Sequence, residues 1–392
     1  MKRLIQEYVD SIRTEILELS HNIHANPELG FEEYRAVGFM SGMLTAHGYH
    51  VREEYCGIPT SFRADAGNAD GPTVAFLAEY DALNGIGHGC GHNIIASCAM
   101  GAFLALAAVA ETCGGRVSLI GTPAEEGGAG KVKLLDKGGF DDIQFALMMH
   151  PSGGGSNLVG RGGRAACSMT VSFYGKGAHS SVPKNGINAL SAVISVFNQI
   201  DLMRPCFDPQ DNINGIIRSG GTAANVIPEF ASCEFCLRAD TMLRIRELID
   251  VVSLCAENAQ RLTGAKAEIV CGDISAERYP NKPMCEAFKQ NMEAIGIDMS
   301  WPDPKKQYGS SDIGNVSIKI PAIHDYLSIT NDAAIRAHTS AYAKASITPE
   351  ADDVCIKGAK GLAMTGYDIL SGADFREAIN AYHAEQIPAF YK

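Results

Sequence analysis

The sequence predicts an α/β protein in two parts, a larger α/β domain assembled from both ends of the chain and a small ferredoxin-like α+β domain inserted between them. Three observations carry this. Short, near-continuous apolar runs alternate with helical patterns in the first 150 residues, as βαβ units with a parallel sheet require. Residues 165–272 read β-α-β-β-α-β, the order of a ferredoxin-like sandwich. After Pro280 the helix–strand pattern resumes. The 392 residues suffice for two full cores, and the boundaries fall at 1–164, 165–279 and 280–392.

Taken in order, Met1 to His24 reads as a charged amphipathic helix without the apolar core of a secretory signal, so a cytoplasmic protein is expected. Three apolar runs follow, each leading directly into ionisable residues: 72–78 into Glu79 and Asp81, 116–121 into Glu125 and Glu126, and 145–149 into His150. Each is a strand buried on both faces. Helical patterns at 93–111 and 129–138 separate them. Sites in open α/β sheets form beyond the carboxyl ends of the strands, so three strands deliver acids and a histidine to one edge. The stretch from Ile94 to Ala110 is rich in Ala, Gly, Cys and Ser, and short for a membrane span; it reads as a buried core helix. The inserted part reads as strand 165–174, helix 186–200, strands 213–219 and 229–238, helix 241–263 and strand 266–272. Helices near 282–296, 350–371 and 373–385 complete the chain.

Composition narrows the function classes. The chain has 33 Lys+Arg against 45 Asp+Glu, a net charge of −12, and no basic run, which argues against nucleic-acid and membrane-surface partners. Small molecules or peptides become the expected partners. The 12 cysteines are scattered through helix and strand patterns, as reduced core residues are, rather than gathered in a loop-rich disulfide frame. Cys233 and Cys236 are spaced as a CxxC, but three positions along a strand face opposite sides.

The densest local signal is Gly87-His88-Gly89-Cys90-Gly91-His92-Asn93, directly before the apolar helix. Its glycines permit a tight loop from which His88, Cys90 and His92 can turn inward, a thiolate and imidazole set suited to zinc; the alternative is a glycine-rich turn with incidental histidines. In Thr122-Pro-Ala-Glu125-Glu126-Gly-Gly the adjacent carboxylates diverge, so one can bind metal while the other takes a proton from water. The competing reading is an acidic first turn of the next helix. Asp81 could orient a metal-binding histidine, or simply form a turn.

These segments resemble a known family. Glu79-Tyr-Asp81-Ala-Leu, His88-Gly-Cys90-Gly-His92-Asn, Pro123-Ala-Glu125-Glu126-Gly, Met149-His150-Pro and the opening His24-Ala-Asn-Pro-Glu-Leu-Gly-Phe-Glu-Glu look like the signature of the two-metal metallopeptidase and amidohydrolase family of aminoacylase, glutamate carboxypeptidase and auxin-conjugate hydrolases. The resemblance spans essentially the whole chain and is nearest the branch of aminobenzoyl-glutamate hydrolase and Xaa-Lys dipeptidases. It implies a catalytic domain with a central mixed sheet flanked by helices, and an inserted lid and dimerisation domain. It further implies metal ligands Cys90, His92, Glu126, His150 and His338, with Glu125 as general base and Asp81 as the carboxylate behind a ligand. Where many members begin the first motif with a ligand histidine, this chain has Glu79, and Cys90 with His92 compensate. In the inserted domain, the resemblance makes His179 the oxyanion donor, offered across a dimer, and Asn225 and Arg238 the holders of a substrate carboxylate. Ser310 and Ser311 would belong to a substrate-side loop.

The expected protein is therefore a metal-dependent hydrolase of an amide bond in a dipeptide or an N-acyl or aminoacyl amino acid. It would hold one or two divalent ions per chain, zinc foremost and manganese as the alternative, and act as a homodimer or homotetramer. A broader aminopeptidase or endopeptidase on the same metal site is the rival enzyme, and a non-catalytic binding subunit the rival from another class.

Overall fold

Six strands form the central sheet of the larger unit: β1 (Val51–Glu53), β2 (Phe62–Gly67), β3 (Thr73–Ala78), β4 (Arg116–Gly121), β5 (Phe145–Ser152) and, from the C-terminal part, β12 (Ala322–Ser328). Their order across the sheet is β1-β2-β4-β3-β5-β12. The computed structural model describes residues 1–304, 306 and 308–392. Two compact units emerge, Met1–Gly162 with Arg278–Lys392, and Gly163–Glu277.

The three apolar runs form β3, β4 and β5, which are adjacent and mutually parallel about β3. β12 adds in parallel to β5, with Tyr326 opposite His150. The sheet is mixed rather than purely parallel, because β2 pairs antiparallel with both β4 and β1. β2 alternates Phe62 and Ala64 with Arg63 and Asp65, and burial of Arg63 is offset by ion pairs to Asp65 (2.9 Å) and Asp142 (2.7 Å).

Behind the sheet lies the helix His92–Ala107, whose residues 92–106 are all buried, as its apolar composition requires. It packs on the sheet, on the N-terminal helices and on the helix Pro349–Ser371. The approach is close: a Cβ at Gly358 would stand 2.6 Å from Met149 Cε and 2.9 Å from Cys98 Sγ. No helix among the described residues is long and apolar enough to cross a membrane. The N-terminal segment forms two helices, Lys2–Ser11 and Arg13–Ala25, because Ile12 (φ −104°, ψ 13°) leaves the helical basin.

The smaller unit contains β6 (Ala165–Tyr174), β8 (Asn212–Ser219), β10 (Phe230–Ala239) and β11 (Lys266–Cys271) as an antiparallel sheet ordered β11-β6-β10-β8, with helices Ala189–Met203 and Met242–Thr263 packed on it. This is the ferredoxin-like arrangement. A two-stranded ribbon, β7 (Ala178–His179) with β9 (Val226–Ile227), completes it. Cys233 is buried and Cys236 exposed, so that pair faces opposite sides of β10. All 12 cysteines are free thiols.

β12 carries a buried acid, Asp325, which accepts from Gly160 N (2.8 Å) while its second oxygen has no partner among the described residues. Burial pushes its carboxyl up to about 7. Between about pH 4 and 7 the native state therefore holds a proton that the unfolded chain has released, so stability falls as pH rises through that window and is flat above it. Asp325→Asn is expected to flatten the decline and raise stability at pH 8 by about 1–4 kcal/mol, read from urea midpoints across pH.

Candidate metal centre

The parallel strands end at one edge, and the candidate groups gather there. β3 runs out into Glu79 and Asp81, β4 into Glu125 and Glu126, and β5 holds His150 near its end. Cys90 and His92 come from the glycine-rich loop and the first residue of the helix His92–Ala107. Gly91 is required at that junction: its φ is +78°, and a Cβ would lie 2.6 Å from Pro151 Cγ. His338 arrives from the C-terminal part on a left-handed backbone (φ +66°), with its N–H donating to Gly89 O at 2.8 Å.

Ligand-type atoms of Cys90, His92 and His150 lie within 4.8 Å of one another, as do those of Cys90, Glu126 and His338, and those of His92, Glu125 and Glu126. Cys90 is common to the first two groups. The five ligand candidates thus form one continuous cluster, with Glu125 beside it. Asp81 sits directly behind. One of its oxygens accepts from His92 Nδ1 (2.9 Å) and the other from the Glu126 backbone N–H (2.8 Å), so a single carboxylate orients two candidate ligands. Against complete burial, His92, that backbone bond and Lys131 hold Asp81 below the usual carboxylate range, and the ionised acid fixes the proton on Nδ1. His92 Nε2 then faces Glu79 Oε2 at 3.5 Å and Glu126 Oε1 at 3.9 Å. His150 is set the same way: Nδ1 donates to Pro151 O (2.6 Å), and Nε2 points at Cys90 Sγ, 3.5 Å away.

These residues fit a divalent cation. His92 Nε2, Glu126 Oε1 and Glu79 Oε2 are buried, face one another and have no hydrogen-bond partner among the described residues. Such atoms cost free energy unless something completes them. Burial pushes the Cys90 thiol far up and His150 well down, so the histidine is a neutral donor and the thiolate needs a neighbouring positive charge. Glu125 is pushed well above the ordinary carboxyl range, first by burial and then by the charges of Glu79, Glu126 and Asp312. A carboxyl raised in this way holds a proton more readily than an ordinary glutamate, as a group that takes and returns protons must.

Other expectations resolve differently. His88 is buried but turned away, with Nε2 on Ile23 O at 3.1 Å, and burial brings it down to about 3. Glu79 forms an ion pair with Lys131 (2.5 Å), which also reaches Asp312 (2.7 Å), all three side chains fully buried. Ser310 lines a pocket beside Cys90, His150 and His338, while Ser311 is buried with its hydroxyl unpartnered among the described residues. In the smaller unit the ribbon brings His179 and Asn225 together: Ser180 N donates to Asn225 O (2.9 Å) and His179 Nδ1 contacts Ser181 Oγ (2.8 Å). Arg238 is not with them. It lies near the far end of β10, opposite Ala166, about 26 Å of strand from Phe230.

Sequence reasoning passed over Lys131 and Glu33. Glu33 is buried, accepts from Thr60 Oγ1 and from Ala124 N (2.9 Å), and so holds the backbone directly before Glu125 in its left-handed turn (Ala124 φ +58°). It lay within the opening motif without a role of its own. Lys131 is one lysine in an ordinary helix start and had no signal.

Carboxyl, imidazole and thiol groups gathered beyond the parallel strands of this mixed sheet suit a metal-dependent hydrolase of amide bonds. The family profile described as Peptidase family M20/M25/M40 matches residues 68–361, and the chain belongs to that family. It is similar to the Xaa-Arg dipeptidase of Mus musculus, 34% identical over 391 residues and covering 94% of this chain and 89% of that protein. The N-acetyl-L-cysteine deacetylase of Bacillus subtilis is 28% identical, over 59% of this chain and 60% of its own length. Among solved structures, a dinuclear metal binding peptidase of Bacillus subtilis superposes with a TM-score of 0.66 at 20% identity, over 92% of this chain and 99% of that one. An aminobenzoyl-glutamate utilization protein from Klebsiella pneumoniae gives 0.68 at 19% identity, over 88% and 97%. At these identities the structures show a common fold.

Proposed function

We propose that the chain hydrolyses the amide bond of a dipeptide or an N-acyl or aminoacyl amino acid, with Glu125 as general base. The observation that carries the reading is the placement of Glu125 in one cluster with His92 and Glu126, its carboxyl raised by burial and by its acidic neighbours. Cys90, His92, Glu126, His150 and His338 would hold the metal. When bound, a divalent ion supplies Lewis acidity that polarises the scissile carbonyl and eases deprotonation of water. The protein's groups do the rest. Glu125 accepts the proton of the attacking water and returns it to the leaving amine. Asp81 keeps His92 and Glu126 aimed, as Pro151 O does for His150. A thiolate and imidazole set favours zinc, with manganese the alternative.

His179 is the proposed donor to the tetrahedral oxyanion, and Asn225 and Arg238 the groups that hold a substrate carboxylate. With His179 and Asn225 at one end of β10 and Arg238 at the other, one copy of the smaller unit cannot offer all three to one peptide bond. That separation supports a homodimer in which two copies contribute. The free thiols accord with a cytoplasmic protein. The test is metal per chain on protein purified without chelator, together with cleavage of a dipeptide and acyl-amino-acid panel before and after chelation. One to two equivalents, with activity lost on chelation and restored by Zn²⁺ or Mn²⁺, are the expected result. A protein that neither holds metal nor cleaves any panel member after metal is added back would overturn the reading.

A further inference from the structure

Beside the candidate metal ligands lies an open pocket of about 420 Å³ whose wall includes Arg161, Arg278 and Arg336, and no aspartate or glutamate among the described residues. In a chain of net charge −12 this concentration of cations is unexpected. Two of them lack any counter-ion among the described residues. Arg278 is 7% exposed; its guanidinium donates to Tyr326 Oη (2.6 Å), Gly162 O (2.7 Å), Gly309 O (3.1 Å) and His324 Nδ1 (2.6 Å), and its Nε–H has no partner among the described residues. Every acceptor is neutral. Arg161 is sandwiched between aromatic rings, its guanidinium carbon 4.1 Å from the centre of Tyr326 and 4.5 Å from that of Tyr308. Among the described residues it makes no ion pair, and its Nε–H is likewise buried and unpartnered. Both cations flank the ring of Tyr326, which also lies 5.2 Å from the His150 ring.

Two neighbouring guanidiniums, largely removed from water and without a carboxylate, are a costly arrangement unless an anion enters between them. Arg161 makes no hydrogen bond among the described residues, so its guanidinium fork is free to match the planar pair of oxygens of a carboxylate, while Arg278, whose other four N–H groups are taken, adds its charge and one Nε–H. Tyr308 and Tyr326 hold the Arg161 plane in place, so little freedom is lost on binding. We propose that Arg161 and Arg278 form a carboxylate-binding subsite of the larger unit, and that this pocket selects substrates presenting a carboxylate there. The inference rests on the reading of the chain as a hydrolase of peptides or acyl-amino acids. The carboxylate could be an acidic side chain or the terminal carboxylate of the substrate.

Three products that share one shape separate these sources: L-glutamate carries both carboxylates, L-glutamine only the α, and L-isoglutamine only the γ. Calorimetric Kd values on the metal-loaded full chain are expected to show one of the two amides binding at least about tenfold more weakly than glutamate, the weak one naming the carboxylate that enters the subsite. In Arg161→Gln that ratio should fall to within about twofold, and in Arg161→Lys a larger part of it should remain. The three ligands binding alike to the wild type, no binding of any, or a ratio that survives Arg161→Gln would each overturn the subsite. Cleavage of Gly-Glu, Gly-Gln and Gly-isoglutamine is followed in parallel. Failure to cleave all three counts against the peptide reading, while the calorimetric ratio still decides the subsite.

Discussion

Glu125→Gln is expected to lower kcat by about a hundredfold to ten-thousandfold while leaving metal per chain unchanged. The amide keeps the side chain's shape and one oxygen but cannot accept the proton of the attacking water. The turn should survive, since Glu33 holds the Ala124 N–H and the Glu126 N–H is held by Asp81, neither of which involves the Glu125 side chain. The comparison variant is Glu126→Gln, whose Oε1 is buried, unpartnered among the described residues and 3.5 Å from His338 Nε2. It should lose metal as well as rate. Metal content and kcat measured on both proteins separate the two roles: near-normal turnover in Glu125→Gln removes the base assignment, and metal loss from Glu125→Gln alone makes it a ligand. Adjacent carboxylates in one loop are thereby asked to do different work, which their environments support, since Glu125 is crowded by Glu79 and Asp312 and Glu126 is fastened through its backbone.

The sequence showed the edge of the sheet clearly because β3, β4 and β5 are buried on both faces and are mostly apolar, so ionisable residues at or just past the carboxyl end of each stand out. β12 escaped for the opposite reason. It is equally buried, yet carries His324, Asp325 and Tyr326 in succession. Those polar groups are satisfied by partners distant in sequence, Arg278 at 2.6 Å from both His324 and Tyr326, and Gly160 on Asp325, which no local pattern records. β2 was missed likewise, since the charge of Arg63 is balanced by Asp142, 79 positions along the chain. The cluster of Cys90, His92, Glu126 and His150 was legible because glycine-rich loops and strand ends dense in ligand-type residues have few structural uses. The two arginines of the neighbouring pocket were not, since a single Arg after a glycine, as at Arg161, or after an acid, as at Arg278, reads as a solvated residue until the fold brings aromatic rings against it.

Lys131→Met should lower the free energy of unfolding by about 3–5 kcal/mol, seen as a fall in urea midpoint with the slope unchanged. Lys131 Nζ lies between Glu79 Oε1 and Asp312 Oδ1 with all three side chains excluded from water, and its backbone N–H also donates to Asp312 Oδ2 (2.9 Å). Burial alone would lower the lysine's pKa, but Asp312 and Glu79 raise it well above the ordinary value, so it stays charged across the usable pH range. Methionine fills the volume of the stem and removes only the charge. Two acids are then left facing each other without a cation, while Asp81, which Lys131 also helps to hold ionised, loses part of its support. The loss is therefore one of electrostatic balance rather than of packing, and this can be separated. Adding Glu79→Gln to Lys131→Met takes away one orphaned charge, and burial already raises Asp312 toward its neutral form, so the double variant should recover more than half of the deficit. No recovery would place the cost in packing of the lysine stem. Recovery would show that Glu79, standing where related sequences are expected to carry a ligand histidine, is committed to a buried ion pair.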